Sequence, residues 1–475
     1  MTFYFYDLET SSGSPRTGRI MQFAGQRTNE NLEPIGDPDN ILVKLADDIL
    51  PEPEAILVHG ITPQQTLSDG ISEADFAEIF FNKIAESNTI FIGYNNIRFD
   101  DEFMRALAFR NFYEPYEWHW KDGRGRWDLL DPMRMMRALR PEGTKWPTID
   151  GKPTVKLEEL AKANAITHDN AHDALSDVQA LIDLAVLYKK SQPKLFSYLI
   201  SNRDKKTVAK IAEKGEPFVY TSGKYDSEFN KTTVVWNCFS HPRRDGAIVY
   251  DLRYDPSEWI NLESEKLAEH WSARYGSEIK QLPVKTIQYN RCPTIAPLSV
   301  LDNESKKRIG YSSDFDKNLE ILKQNPEFIN KLKTTLDILE KEQQSRLPLD
   351  DEVDNKLYDE FWNDKDKAEM LKIRHSDVSV FEELQREIKN KRLRDMMPLY
   401  KARNYPNKLT AEEHEFWESR KRRLFMSGGE NSQLSKLFNR IQAIHKAQAL
   451  SKNEEYLLSE LQLYIESILP EPDEL

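Results

Sequence analysis

The sequence predicts an α/β domain ending near residue 190, a small barrel-like β domain with helical additions, and an α-helical C-terminal domain. Three observations carry this. The chain has 475 residues, whereas domains usually hold about 100–200 and a single core stops growing near about 250–300. The first 190 residues open with strand-like runs and then alternate helical and strand patterns, as an α/β layer architecture requires. From about Asp350 the chain is rich in Lys, Glu and Leu, with apolar residues at helical spacing, as at Phe381, Leu384, Ile388 and Leu424.

In order along the chain, residues 3–9, 23–28 and 41–45 read as strands separated by Gly, Pro and Asn turns, able to pair as a meander. A helix is expected over Glu73–Ala85, a buried strand over Thr89–Tyr94 and a helix from near Asp100. Further helices are expected around Asp128, over Lys156–Asn164 and, most strongly, over Asp173–Lys190. Pro193 breaks that last helix. Pro217–Tyr220, Thr232–Trp236 and Ala247–Tyr250 then lean towards strands. The expected domains are 1–192, 193–348 and 349–475, with no internal repeat.

Composition excludes several classes. At 39% hydrophobic and 11% aromatic the chain can build cores, which argues against extended disorder. Its two cysteines, Cys238 and Cys292, make neither a disulfide framework nor a clustered zinc site. No apolar run reaches the roughly 18 residues of a membrane span. The apolar Phe3–Tyr6 stops at Asp7 with no basic residue before it, too short for a signal peptide, so a cytoplasmic, bacterial protein is expected. The net charge of −13 excludes a simple basic carpet on DNA. Between Ser191 and Tyr250, however, ten Lys/Arg face six Asp/Glu, a local balance of +4 that leaves room for a positive groove.

Asp7 and Glu9 are two apart on a strand, so their carboxylates share a face about 7 Å apart, as paired ligands of a divalent metal do. Alone, such a pair is a weak signal that reads more readily as a solvated surface face; Phe3 and Phe5 on the same face argue for the end of a buried strand. Asp100 follows a buried strand and starts a helix, where a helix-start acid is the alternative, and Asn95 and Asn96 tolerate the tight turn before it. His172 precedes a long amphipathic helix and Asp177 sits on its first turns, able to face the sheet; in isolation His172 reads as an ordinary surface or core histidine.

The ordered set Asp7-x-Glu9, Asn95-x-x-x-Phe99-Asp100 and His172-x-Ala174-x-x-Asp177 resembles the histidine-bearing branch of the DEDD exonuclease superfamily. Val58–Pro63, Gly93–Glu102, Arg110–Tyr113, Arg126–Asp131 and Leu139–Gly143 narrow the resemblance to bacterial exonuclease I, almost end to end. The resemblance implies a ribonuclease-H-like exonuclease domain with a mixed sheet, then an SH3-like domain and a helical C-terminal domain. It implies 3′ to 5′ degradation of single-stranded DNA to nucleoside 5′-monophosphates, in DNA repair and recombination. A shorter-chain DEDD relative acting on RNA or proofreading a polymerase, and a non-catalytic DNA-binding scaffold, are the competing readings.

By the same resemblance Asp7, Glu9 and Asp177, completed by Asp100, would bind two Mg²⁺ ions, with Mn²⁺ as a substitute. His172, with an ordinary pKa of about 6.5, would be the general base. Positions resembling the family's DNA contacts are Arg105, Tyr116, Trp120, Arg134, Arg140, Lys156, Tyr198, Lys205, Lys285 and Lys323. Single strands need a positive channel with aromatic platforms, which these supply; the alternatives are a core role for Trp120 and solvated Lys and Arg. The basic cluster Lys389, Lys391, Arg392, Arg394, Lys401 and Arg403 reads as a helix face, or as a receptor for an acidic tail. The implied partner is the acidic C-terminus of single-stranded DNA-binding protein, with the enzyme itself expected to be a monomer and not membrane-bound.

Overall fold

The structure is a computed structural model that describes residues 1–167, 173–274, 276–345, 352–447 and 449–470. Their contacts divide the chain into two compact units that do not follow chain order. One comprises Met1–Gly125, His168–Ile182 and Asp350–Leu475, the other Arg126–Thr167 and Asp183–Leu349.

In the first unit, β1 (Thr2–Thr10), β2 (Ile20–Thr28) and β3 (Asp39–Leu42) form the expected meander. Two short helices missing from the sequence reading follow, α1 (Pro53–His59) and α2 (Pro63–Asp69). Both begin at a proline in the first helical position, where its missing N–H costs nothing. Gly60, in the left-handed conformation at φ 73°, ends α1, and the Thr62 side chain caps α2. The predicted helix over Glu73–Ala85 is α3 (Glu73–Ile79) continued by a π-helical stretch, Phe80–Ile84. The fully buried β4 (Thr89–Gly93) and then α4 (Asp100–Arg110) stand where expected.

β1 pairs antiparallel with β2 and parallel with β4, and β2 pairs antiparallel with β3, giving the order β3-β2-β1-β4. Period-two alternation then sorts the side chains of β1. Tyr4, Tyr6 and Leu8 enter an aromatic core with Phe23, Phe76, Phe80, Phe91 and Trp118. Phe3, Phe5, Asp7 and Glu9 face the other way.

β5 (Gly125–Asp128) occupies the start of the helix expected around Asp128; the helix, α5 (Leu130–Leu139), begins two residues later. A two-residue hairpin, β6 (Thr148–Ile149) with β7 (Lys152–Pro153), precedes α6 (Leu157–Ala163) and α7 (Ala174–Ser191). Pro193 does end α7, and it also opens α8 (Pro193–Ser201), which α9 (Lys205–Ala212) follows.

The second unit's sheet has the order β11-β10-β9-β8-β12, formed by β8 (Phe218–Thr221), β9 (Thr232–Ser240), β10 (Gly246–Asp251), β11 (Val284–Gln288) and β12 (Thr294–Pro297). Its core gathers Phe218, Val235, Val249, Ile287 and Ile295 beneath Val208 of α9.

The C-terminal helices pack within the first unit. Met21, Ile49 and Ile56 share a core with Phe425, Ile441, Leu461 and Ile465, and Phe109 and Phe112 share another with Trp362, Leu393 and Trp417. A buried ion network joins the same segments. Asp48 accepts from Arg403 at 2.7 Å and Arg420 at 2.8 Å, Arg420 reaches Glu352 at 2.9 Å, and Arg403 and Arg19 share Asp354. Part of the expected basic cluster is drawn into this packing, while Lys389 and Lys391 are exposed. Arg403 is inside the network, Lys401 is buried against Glu413, and Arg392 lies 3.7 Å over Trp362. No helix among the described residues is long and apolar enough to cross a membrane.

Burial alone would raise the pKa of Asp48, but Arg403, Arg420 and Arg19 outweigh it and hold the carboxyl below its ordinary range; Asp354 behaves alike. Asp48→Asn should therefore cost about 3–5 kcal/mol, by leaving buried arginines uncompensated, measurable as a lowered denaturation midpoint. Because these folded-state pKa values are depressed, their stabilisation is complete above about pH 4 and is lost as pH falls further. The wild-type midpoint should drop on acidification more steeply than that of the variant.

Candidate active site

The aromatic packing of β1 fixes where its carboxylates point. With Tyr4 and Tyr6 locked among Phe23, Phe91 and Trp118, Asp7 and Glu9 must emerge on the opposite face, opposite Ala24 and Gln22 of β2.

The parallel neighbour β4 delivers the next acid. Gly93 ends the strand where a Cβ would lie 2.5 Å from that of Asn96, so only glycine allows the chain to fold back so closely. Asn95 takes the left-handed conformation at φ 69°, as its residue type permits. Asp100 and Asp101 then open α4, and the two have separate duties. Asp101 is buried behind the sheet, accepting from the Tyr6 hydroxyl at 2.5 Å and the Asn96 amide at 3.3 Å. Asp100, 4% exposed, adds its charge to the field at Asp7 and Glu9.

α7 supplies the third carboxylate of the group. Asp7, Glu9 and Asp177 bring carboxylate oxygens within 4.8 Å of one another. Burial and repulsion by Asp100, Glu9 and Asp177 raise the pKa of Asp7 well above the ordinary value. Burial, then Asp177, Asp100 and Asp173, push Glu9 up to about 8. Carboxylates held together against this repulsion fit a divalent cation, and an all-oxygen donor set suits a hard ion such as Mg²⁺ or Mn²⁺. His172 lies outside the described residues.

Two supporting residues escaped the sequence reading. Asp173 accepts the backbone N–H of Ser176 at 3.3 Å, capping the start of α7, and also receives the Gln22 amide at 3.3 Å. Gln22 donates to Asn40 as well, at 2.9 Å, so β2 and β3 are tied to the helix that carries Asp177. An Asp just before a helical run was a legible cap; the pairing of Gln22 with Glu9 depends on register and was not. Beside this link opens a cleft of about 380 Å³, lined by Gln22, Leu42, His59, Ile61 and Asp173 among others.

The expected DNA contacts are placed variously. In the first unit Arg105 is buried, paired with Glu102 at 2.7 Å and stacked 5.4 Å from the centre of Tyr116, while Trp120 is 59% exposed. A core role for Trp120 is thereby removed; its near neighbour Trp118 is buried instead. In the second unit Arg134 pairs with Asp131 at 2.5 Å, Lys205 with Asp245 at 2.8 Å and Lys323 with Glu320 at 3.1 Å. Arg140 is engaged by the Val300 carbonyl and Asp302. Lys156 is exposed just before α6, Tyr198 is half-buried, and Lys285 stands 5.1 Å over the Tyr225 ring.

Comparison with known proteins agrees with this architecture. Family models match residues 4–185 (exonuclease), 203–358 (exonuclease I SH3-like domain) and 351–468 (exonuclease I C-terminal domain). Exodeoxyribonuclease I of Escherichia coli is 38% identical over 431 residues, covering 89% of this chain and 90% of that protein. The structure of E. coli exonuclease I in complex with a dA16 oligonucleotide superposes with a TM-score of 0.93 at 36% identity, covering 98% of this chain and 100% of that one. The zinc-bound form of an E. coli exonuclease I–single-stranded DNA complex gives 0.92 at 35% identity, covering 98% and 99%. An SSB/exonuclease I structure in complex with the inhibitor CFAM gives 0.87 at 35%, with the same coverage. With three domains matched in order and this identity over most of its length, the chain belongs to the exodeoxyribonuclease I family.

Proposed function

We propose that this protein degrades single-stranded DNA from its 3′ end, releasing nucleoside 5′-monophosphates, at Asp7, Glu9, Asp100 and Asp177. The observation that carries the reading is the carboxylate cluster: Asp7, Glu9 and Asp177 gather within 4.8 Å although the charges of Asp100 and Asp177 raise the pKa of both Asp7 and Glu9. That arrangement costs stability unless a cation occupies it. Asp7, Glu9 and Asp177 would hold Mg²⁺, with Asp100 completing the set and Mn²⁺ able to substitute. When bound, such ions neutralise the phosphate and make a water nucleophilic at neutral pH. Zinc in the related E. coli complex supports divalent metal use here.

His172 takes a proton from the attacking water, and the leaving group is the 3′ oxygen of the preceding nucleotide. Its neighbour Asp173 is tethered by Gln22 and caps α7, so the chain arriving at Asp177 is held from the sheet side. The 380 Å³ cleft on the Gln22 side has the capacity for part of the terminal nucleotide. Single-strand preference rests on Arg105, Tyr116 and Trp120, with Arg134, Arg140, Lys156, Tyr198, Lys205, Lys285 and Lys323 as further contacts. The E. coli oligonucleotide complex supports this substrate, and the SSB/exonuclease I structure supports single-stranded DNA-binding protein as a partner, which would dock through its acidic tail. A monomeric, cytoplasmic enzyme of DNA repair and recombination, with domains 1–192, 193–348 and 349–475, completes the proposal.

The deciding experiment is digestion of a 5′-labelled single-stranded oligonucleotide with Mg²⁺ or EDTA, beside matching duplex and RNA strands. A Mg²⁺-dependent ladder shortening from the 3′ end only on single-stranded DNA is expected. Preference for RNA would move the protein to a ribonuclease role, and binding without cleavage would leave a scaffold. Asp177→Asn should abolish Mg²⁺-dependent release of mononucleotides while sparing binding of the oligonucleotide in EDTA; an unchanged Mg²⁺ titration would refute the ligand assignment. His172→Ala should lower turnover by about 10²–10⁴-fold with nearly intact DNA binding, and equal turnover in the variant would remove His172 from the reaction.

A further inference from the structure

The turn between β8 and β9 carries two lysines, Lys224 and Lys231, that are not among the expected DNA contacts. It is closed by backbone bonds from Ser222 N–H to the Lys231 carbonyl at 3.0 Å and from Lys231 N–H to the Asp226 carbonyl at 2.9 Å. Asn230 and Lys231 are both left-handed, at φ 54° and 58°, a conformation non-glycine residues rarely adopt in succession. Thr221 and Thr232 join hydroxyls at 2.8 Å at its base.

α5 packs against this turn through charge. The Arg134 guanidinium rests against the backbone at Gly223, 2.8 Å from where a Cβ would stand. Arg137 donates to the Asn230 side chain at 2.8 Å. From the other side Lys285 of β11 lies over Tyr225.

The result is one cationic patch made of Arg134, Arg137, Lys224, Lys231 and Lys285. Burial, then repulsion from Arg134 and Arg137, lowers the pKa of Lys231 despite Asp226. Burial, Lys224 and Lys231 lower that of Lys285 despite Asp251. Among the described residues no carboxylate closes a salt bridge with Lys224, Lys231 or Lys285. Like charges held together on a closed turn, in a chain of net charge −13, call for an external polyanion.

We propose that Lys224 and Lys231, with Arg137 behind them, form a phosphate-binding clamp for the backbone of single-stranded DNA, continuous with Arg134 and Lys285. The proposal rests on single-stranded DNA being the substrate. An acidic peptide is disfavoured because an apolar socket is missing at the turn: Tyr225 is buried and the Phe229 ring is covered by Arg253 at 4.0 Å. The patch therefore offers charge alone, which suits successive phosphates.

The test is equilibrium binding of fluorescein-labelled oligo(dT) in EDTA, followed by anisotropy between about 50 and about 200 mM salt, for the full chain and for K224A/K231A. Each lost phosphate contact removes about 0.7 from the log–log salt slope on single strands, so the double variant should be shallower by about 1.4. K224R/K231R should keep the original slope. An unchanged slope in K224A/K231A overturns the clamp. So does an unchanged slope accompanied by lost binding of a labelled acidic peptide, which would assign the patch to a protein partner. Because these titrations need no catalysis, the active-site reading is tested apart from them. Mg²⁺-dependent hydrolysis of the p-nitrophenyl ester of thymidine 5′-monophosphate by the unaltered enzyme supports that reading, and failure to hydrolyse it counts against the active site but not the clamp.

Discussion

The governing constraint in this protein is repulsion. Asp7, Glu9, Asp100 and Asp177 are brought together by three separate elements, and burial and the neighbouring charges penalise the ionised forms of Asp7 and Glu9. A flexible frame would relieve that penalty by moving the carboxylates apart. The frame around them is stiff instead: β1 is clamped between an antiparallel and a parallel neighbour, its rear face is packed with aromatic rings, and Asp101 is fixed by Tyr6 and Asn96. On the far side Gln22 and Asp173 hold the start of α7. Tyr6 and Asp101 are each next to a carboxylate in sequence, and Asp173 lies one helical turn before Asp177.

The same logic extends to the C-terminal helices. They share apolar cores with Met21, Ile49, Ile56 and Phe109, and a buried network joins Asp48 and Arg19 to Arg403, Arg420 and Asp354. Buried ion pairs contribute little net stability over an apolar replacement, but breaking one is costly. Such a network therefore specifies one docking arrangement more than it deepens the energy well. Ile20, Met21 and Arg19 stand at the start of β2, whose next residue is Gln22, so the docking of the helices bears on the strand that faces Glu9.

Much of the site was legible because its signals are local. The two-residue spacing of Asp7 and Glu9, the turn-tolerant Asn95 ahead of Asp100, and the helical run after Asp173 each follow from backbone periodicity. The strands β1, β2 and β4 and the helices α4 and α7 appear within a few residues of expectation. Short elements were hidden: α1 and α2 have seven residues each, and the four-residue β5 took the place of a helix start. Their signals lay in Pro63 and Gly60 punctuation, which the sequence reading used only as a family motif.

By itself, the sequence determined which residue types could carry the chemistry and the local elements that present them, because strand alternation and helix capping are properties of neighbouring residues. Tertiary structure alone decided the rest. Register placed Gln22 opposite Glu9, parallel pairing placed β4 beside β1 so that Asp100 adds to the field at Asp7, and folding back of the C-terminal helices buried Arg403 and Lys401, which composition had suggested as surface. The physical reason is that burial and charge coupling depend on partners tens to hundreds of residues away, and no local pattern encodes who those partners are.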